Sequence, residues 1–544
     1  MKLLFTLLLV VAGGGFCAAQ DVYFSAMKDE LARTHKKLQL KDSVRPYFTS
    51  YVLTQSSGLR AQAAWGELEI AATAAQNEPL RTAVVNMIVG NAKENSNNFQ
   101  AERALGMLYA YAPTTVYFPA GNYAGIREGF WRATDEEYRQ ALEMFSQKEA
   151  YKRKKRLKET GRDFAPAKAA RFIGPADTAE LDKPEDMNRL AREISVLGKK
   201  YAYLDVARAR VSGQRLNYWY MDNHGGAWRL GHTVRSIYLT AQLRNKAGYR
   251  QRFETEFNYV DTPFPPQEEL LEKADQWFAA INGVYPARKA EPYLGPVLLS
   301  PQAAAGFIRS LLVPEISNTT ALLSDSDGGG TAGKFKDKLG QRVFAPGFTI
   351  TDRPLLSSYK GTALLGYFPV DMEGVAAQDI TLVKNGKLTD LPFSRSLPAA
   401  RKAGNGHARM TENKRPRAGI TNLFITPEQA FTPDEMKQKL IARCKALDLE
   451  YGYRLETMAG PGAMRLTRIY VKDGREEPVY GMAPRNLTTR ALRDILAAGT
   501  DETTFQKFGL EAHSVTVPSL LVDEMELWAG DEQPDRAPYV AKPQ

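Results

Sequence analysis

Only two cysteines, Cys17 and Cys444, occur in the 544 residues, which excludes a disulfide framework. Histidine is scarce too: His35, His224, His232, His407 and His513 are scattered, and only His224 and His232 lie close together. No His-Glu pair joins those two, so their spacing is not a metal-site signature. Beyond the first residues, no apolar run approaches the roughly 20 residues that a transmembrane helix needs. There is no internal repeat, and no Gly-x-Ser-x-Gly elbow to locate a Ser-His-Asp arrangement.

What is present starts with Lys2, an apolar stretch from Leu3 to Ala12, and small residues around Cys17-Ala18-Ala19. That three-part pattern predicts a secretory signal over residues 1–19, a mature chain from about Gln20, and a periplasmic or extracellular location. Phe16 stands where lipoprotein signals carry Gly or Ala, so ordinary cleavage is favoured over lipidation of Cys17. Cleavage leaves Cys444 without a partner, and stability must come from packing. Hydrophobic residues make up 44% of the chain, and at roughly 150 residues per domain its length suggests two to four domains. Part of the formal charge of +10 sits in the run Lys148 to Lys158, read as the solvated side of a helix rather than a surface for anionic lipid head groups. Export also removes the obvious nucleic-acid partners.

Along the chain, an amphipathic segment covers Met27 to Leu40, and extended stretches between Tyr47 and Val89 predict a sheet. Thr134 with Glu137 three residues on predicts a helix start, with Tyr138, Leu142 and Phe145 on one face. Asp163 to Asp186, with Pro166, Pro175 and Pro184, reads as a loop or linker. From Gly295 short strands and tight turns take over, with hairpins at Asn385-Gly386 and Asp473-Gly474. A helix opens at Thr432-Pro433 with Glu435 completing a capping box, and a second is predicted from Thr488 to Leu496. Cys444 falls with Met436, Leu440 and Ile441 on the apolar face of the Thr432 helix, as a packed thiol. Gly328 to Lys334 match the start of a phosphate-binding loop, but Phe335 replaces the hydroxyl residue, so a glycine-rich surface loop is expected. The fold class is α+β, mostly antiparallel. The expected division is a signal at 1–19, an N-terminal α/β region at 20–110, a helical and mixed middle region at 111–290, and a β-rich C-terminal domain at 291–544.

Five segments occur in the order expected of the TldD/PmbA (modulator of DNA gyrase) family, which the chain resembles: Gly295-Pro296-Val297-Leu298-Leu299, Asp371-Met372-Glu373-Gly374-Val375, Leu382 to Leu388, Asn405-Gly406-His407-Ala408-Arg409, and Val517 to Glu524. Phe130 to Asp135 followed by a basic helix resembles the family's exported branch. The resemblance implies a mixed N-terminal region, a β-rich C-terminal domain, and a homodimer or a heterodimer of a catalytic and a non-catalytic subunit. It also implies peptide substrates and, in catalytic members, zinc held by His-Glu-x-x-x-His and a cysteine from the C-terminal domain. In such a site the glutamate activates the metal-bound water.

At the corresponding place this sequence has Pro301, Gln302 and Gly306. None of these is an imidazole or a carboxylate, so no catalytic residue, metal ligand or bound cofactor is expected here. The departure resembles the non-catalytic PmbA (TldE) subunits, and a heterodimer with a TldD-like partner is the leading expectation. Two alternatives stand beside it. One is a stand-alone binding or scaffold protein; the other is an active zinc peptidase whose ligands have moved, for example to His224, His232 and His407.

Overall fold

A computed structural model describes residues 21–40, 43–100, 115–118, 121–157, 161–317, 320, 323–324, 333–398, 401–411, 415–458, 464–508 and 511–529. The expected signal at 1–19, with Cys17, and most of the glycine-rich stretch 328–332 lie outside the described residues. Among the described residues, no helix is long and apolar enough to cross a membrane.

The fold is α+β. Its N-terminal half is built on one antiparallel path of strands: β1 (Pro46–Ala64), β2 (Leu80–Val89), β3 (Thr115–Phe118), β4 (Leu204–Asp222), β5 (Ala227–Arg244) and β6 (Arg250–Val260). They lie in the order β6-β5-β4-β1-β2-β3. Strands on either side of residue 110 therefore share this sheet.

Side chains alternate between its faces, as a pleated strand requires. Odd-numbered residues such as Tyr51, Leu53, Ala83 and Val85 face α1 (Val22–Lys37) and α2 (Tyr123–Lys155). Further along the same face, Leu59, Ala61, Ala209 and Leu239 meet α3 (Pro184–Val196) and α4 (Gln267–Asn282). Tyr51 and Phe130 stack across this interface with ring centroids 4.4 Å apart. Four helices thus cover one face and leave the even-numbered residues to the other.

In the C-terminal half, an eight-stranded sheet centred on Tyr293–Leu299 and Leu520–Ala529 shares a core with a six-stranded sheet centred on Phe348–Asp352 and Asn422–Pro427. Most pairings are antiparallel, while Tyr293–Leu299 with Tyr451–Leu455 and Asn422–Pro427 with His513–Val517 are parallel. Between the sheets lies α5 (Pro301–Leu311), followed by the short α6 (Val313–Ile316). The other face of the larger sheet carries α7 (Pro433–Ala446), whose Met436, Leu440 and Cys444 pack on Leu298 and Leu521.

Three expectations change. The helix predicted at Thr134 begins twelve residues earlier, where the Asn122 side chain accepts from the Gly125 amide at 2.8 Å. Thr134 instead shares a hydrogen bond with the Tyr51 hydroxyl, and Glu137 pairs with Arg415, so both face tertiary partners rather than a helix end. The segment predicted as a helix from Thr488 gives one 3₁₀ turn, Thr489–Leu492, before Ile495–Ala498 pairs with the long strand at Leu520–Val522. Pairing at a sheet edge overrides the local signal. The irregular stretch from Asp163 is no free linker, because Phe164 is buried and the Ala165 amide donates to the Arg395 carbonyl at 2.8 Å.

The basic run on α2 also divides. Arg153, Lys154 and Lys155 are exposed, but Lys148 is only 1% exposed. Its ammonium pairs with Asp163 and donates to the carbonyls of Asn95 (2.9 Å) and Asn97 (2.5 Å). Burial pushes its pKa down, and Asp163 pulls it part of the way back. Lys148→Met is expected to destabilise the fold by about 3 kcal/mol, since it leaves Asp163 and two carbonyls unpaired. Lys154→Met should change stability by less than about 0.5 kcal/mol; urea unfolding of both variants measures the contrast.

Candidate functional site

Strand Tyr293–Leu299 turns into α5 at Ser300, whose hydroxyl donates to the Glu456 carbonyl at 2.7 Å and sits at the helix N-cap. Pro301 takes the first helical position, where its missing amide hydrogen costs nothing. Gln302 is exposed, and Gly306 faces Met458. A Cβ at position 306 would lie 2.8 Å from the Met458 Cβ, so no imidazole fits there without displacing that residue. These three residues offer no imidazole, thiolate or carboxylate, and the position does not fit a zinc ion.

His224, His232 and His407 do not converge on one point, each having separate partners. His224 lies edge-on to the Tyr47 and Phe48 rings, with Nδ1 3.2 Å from an Arg395 nitrogen. His232 Nδ1 is 2.8 Å from Asp261, and the buried His407 places Nδ1 3.0 Å from the Asn405 carbonyl. Burial pushes His224 and His407 toward the neutral form. Among the described residues, no group of three or more His, Cys, Asp or Glu side chains is placed to hold a metal ion. Cys444 is a packed thiol, and burial pushes its pKa up.

Two features escaped the sequence. The first is a groove of about 430 Å³ over the helix-free face of the N-terminal sheet. Val52, Thr54, Thr82, Val84, Leu216 and Trp228 line its floor, and C-terminal residues including Leu365, Phe368, Met372, Arg409 and Phe508 roof it. Its size and apolar character suit a ligand site. The even-numbered strand positions were its only sequence signal.

The second is the junction holding floor to roof. The Asp371 carboxylate accepts from the amides of Glu373 and Val375 (both 2.9 Å) and of Ala408 (3.0 Å), closing a tight turn. The Trp228 indole donates to the Asp371 carbonyl at 3.2 Å, and the Ala170 amide donates to the Gly374 carbonyl at 2.9 Å. Glu373 accepts from the Arg395 amide at 2.5 Å, while the Arg395 guanidinium donates to the Ala165 carbonyl and lies 3.8 Å from the Phe164 ring centre.

Residues 293–528 match the PmbA/TldA metallopeptidase C-terminal domain family. The chain carries a domain of the PmbA/TldD family. A metalloprotease of Methanothermobacter thermautotrophicus is 24% identical over 265 residues, 46% of this chain and 52% of that protein, so the chain spans about half the length of this curated relative. Crystal structures of TldE from Thermococcus kodakarensis (TM-score 0.61, 12% identity, 93% of this chain and 100% of that one) and of a putative modulator of a DNA gyrase from Thermotoga maritima (TM-score 0.56, 16% identity, 93% and 100%) share the fold. The segment Asp371 to Val375 lies inside the matched PmbA/TldD domain, and it carries the most perturbed acids of the junction.

Desolvation pushes Asp371 up to about 6 and, with the Asp371 charge beside it, Glu373 up to about 8. Glu373 holds its proton more tightly in the fold than in the unfolded chain. Its contribution is therefore fully present below the unfolded pKa and is lost as pH rises through the folded one. The native chain should lose thermal stability as pH rises from about 4.5 to about 8, and Glu373→Gln should flatten that fall. Parallel slopes in melting curves for the two proteins would remove Glu373 as the source.

Proposed function

We propose that this chain is the non-catalytic, TldE-like subunit of an exported peptidase complex. In this reading it pairs with a TldD-like subunit that carries zinc, and its groove helps to hold peptide substrates. The observation that carries the proposal is the start of α5. Pro301, Gln302 and Gly306 present no ligand there, and Met458 occupies the space next to position 306. A glutamine side chain takes no proton from water at neutral pH, so even a metal recruited from solution would find no general base in Gln302. The three-part signal pattern at residues 1–19 supports export, and the single remaining cysteine suits a compartment where disulfides form.

Chemistry then belongs to the partner. This chain contributes a surface that positions substrate and excludes water around it, a role that needs packing and hydrogen bonds but no metal.

The purified mature chain, supplied with zinc and without chelator, is expected to bind no stoichiometric zinc and to leave unstructured peptides intact. Mixed with a TldD-like protein from the same source, it should form a complex whose peptidase activity exceeds that of the partner alone at least tenfold. Hydrolysis by the pure chain, lost on chelation, would overturn the proposal in favour of an active zinc peptidase. A stable complex with no gain in activity would overturn it in favour of a scaffold.

A further inference from the structure

The groove over the N-terminal sheet contains one charge without a counter-ion. Arg409 lies in its roof with the guanidinium carbon 3.9 Å from the Phe368 ring centre. One terminal nitrogen donates to the Ala512 carbonyl at 2.7 Å, and Nε has no partner. No carboxylate among the described residues forms an ion pair with it, and no aspartate or glutamate lines the groove. Asp352, Asp371 and Glu511 act on it only at longer range: the oxygens of the first two are taken by Thr421 and by the backbone of the 371–375 turn, and Glu511 pairs with Lys507 at 3.7 Å. Burial lowers its pKa to about 10, so Arg409 stays charged at neutral pH.

A guanidinium with no ion-pair partner in an apolar enclosure is costly, and an anionic ligand group in direct contact would offset that cost. The planar fork of an arginine suits a carboxylate in particular. The remaining surface defines the body attached to that carboxylate. Its apolar floor residues alternate with Thr54, Ser56, Thr82 and Gln214, whose hydroxyl and amide groups match a peptide backbone and have no use against an alkyl chain. At the rim, Leu80 and Tyr117 are 47% and 61% exposed, so an extended chain could run out of the groove over apolar ground.

The geometry points to capture of the C-terminal carboxylate of an apolar peptide by Arg409, with the residues before it extended along the Val52–Ser56 and Leu80–Val84 floor. This rests on the reading of the chain as a peptide-holding subunit and narrows it: the groove takes peptide ends rather than the interior of an intact protein. Arg409 is a binding residue here and touches no scissile bond.

The test uses the full mature chain without a partner and an N-terminally labelled apolar hexapeptide, prepared as the free acid and as the C-terminal amide. Fluorescence anisotropy should show the acid binding at least tenfold more tightly than the amide, with the gap abolished in Arg409→Met and partly kept in Arg409→Lys. Should Arg409→Met fail to melt cooperatively, Arg409→Lys serves instead, and it should narrow the gap between acid and amide without abolishing it. Equal binding of the two peptides by the native chain, or a gap that survives Arg409→Met, overturns the proposal. Decanoate binding through Arg409 with neither peptide bound also overturns it, assigning the groove to fatty acids. Mass spectrometry of the recovered peptide separates this outcome from failure of the subunit reading: cleavage by the isolated chain would refute the subunit reading, while the acid-to-amide gap still decides the role of Arg409.

Discussion

The close approach of two turns, one from each half of the chain, makes the groove possible. The hairpin between β4 and β5 bends at Asp222 to Gly226, and the 371–375 turn lies directly against it. A Cβ on Gly374 would come within 2.2 Å of the Asp222 carboxylate, and one on Gly226 within 2.8 Å of the Gly374 Cα. Both positions therefore require glycine, and Gly374 also has a φ of 76°, which glycine adopts without strain. With backbone pressed on backbone, buried carboxylates close the contact. Asp222 accepts from the His224 and Gly226 amides, and Asp371 from three amides of its own unit. Loosening either turn would let the roof lift from the sheet, and the groove would lose its enclosed shape.

Much of this architecture was legible in the sequence wherever one local rule decided the outcome. Asn385 and Gly386 both adopt positive φ, 46° and 73°, as the tight hairpin between Ile380–Lys384 and Lys387–Leu388 demands. Thr432 and Glu435 form the reciprocal capping box that opens α7, and Cys444 packs with the neighbours its helical spacing gives it. In each case the interaction spans four residues or fewer, or repeats at the helical period.

Where the deciding partner is distant, sequence reasoning failed for the same physical reason. Thr134 and Glu137 have the types and spacing of a helix start, yet the Tyr51 hydroxyl and the Arg415 guanidinium claim their side chains. Lys148 looked like one more solvated cation until Asp163 and two loop carbonyls closed around it. The groove is the extreme case. Its floor draws on five strands between Val52 and His232 and its roof on segments between Leu365 and Ala512, so no window of sequence contains it. Arg409 was visible within the Asn405 to Arg409 segment, but its lack of a counter-ion is a property of the assembled roof.

The packing of α5 explains how a chain can keep this architecture without metal ligands. Ala303, Ala304, Phe307 and Ile308 are buried in the core between the two C-terminal sheets, whereas Gln302 and Gly306 lie on another side of the helix. Gln302 is exposed on that side, so exchanging it costs the fold little, whereas any side chain at position 306 would have to displace Met458. The helix is also tied to the groove: an Arg309 nitrogen donates to the Phe505 carbonyl at 3.0 Å, and three residues further on Phe508 reaches the groove roof. A helix without ligands can therefore go on supporting the strand that shapes the roof. Gln302, Gly306 and Arg309 fall on one stripe of α5, so the side that presents no imidazole or carboxylate is also the side that anchors the strand leading to the groove roof.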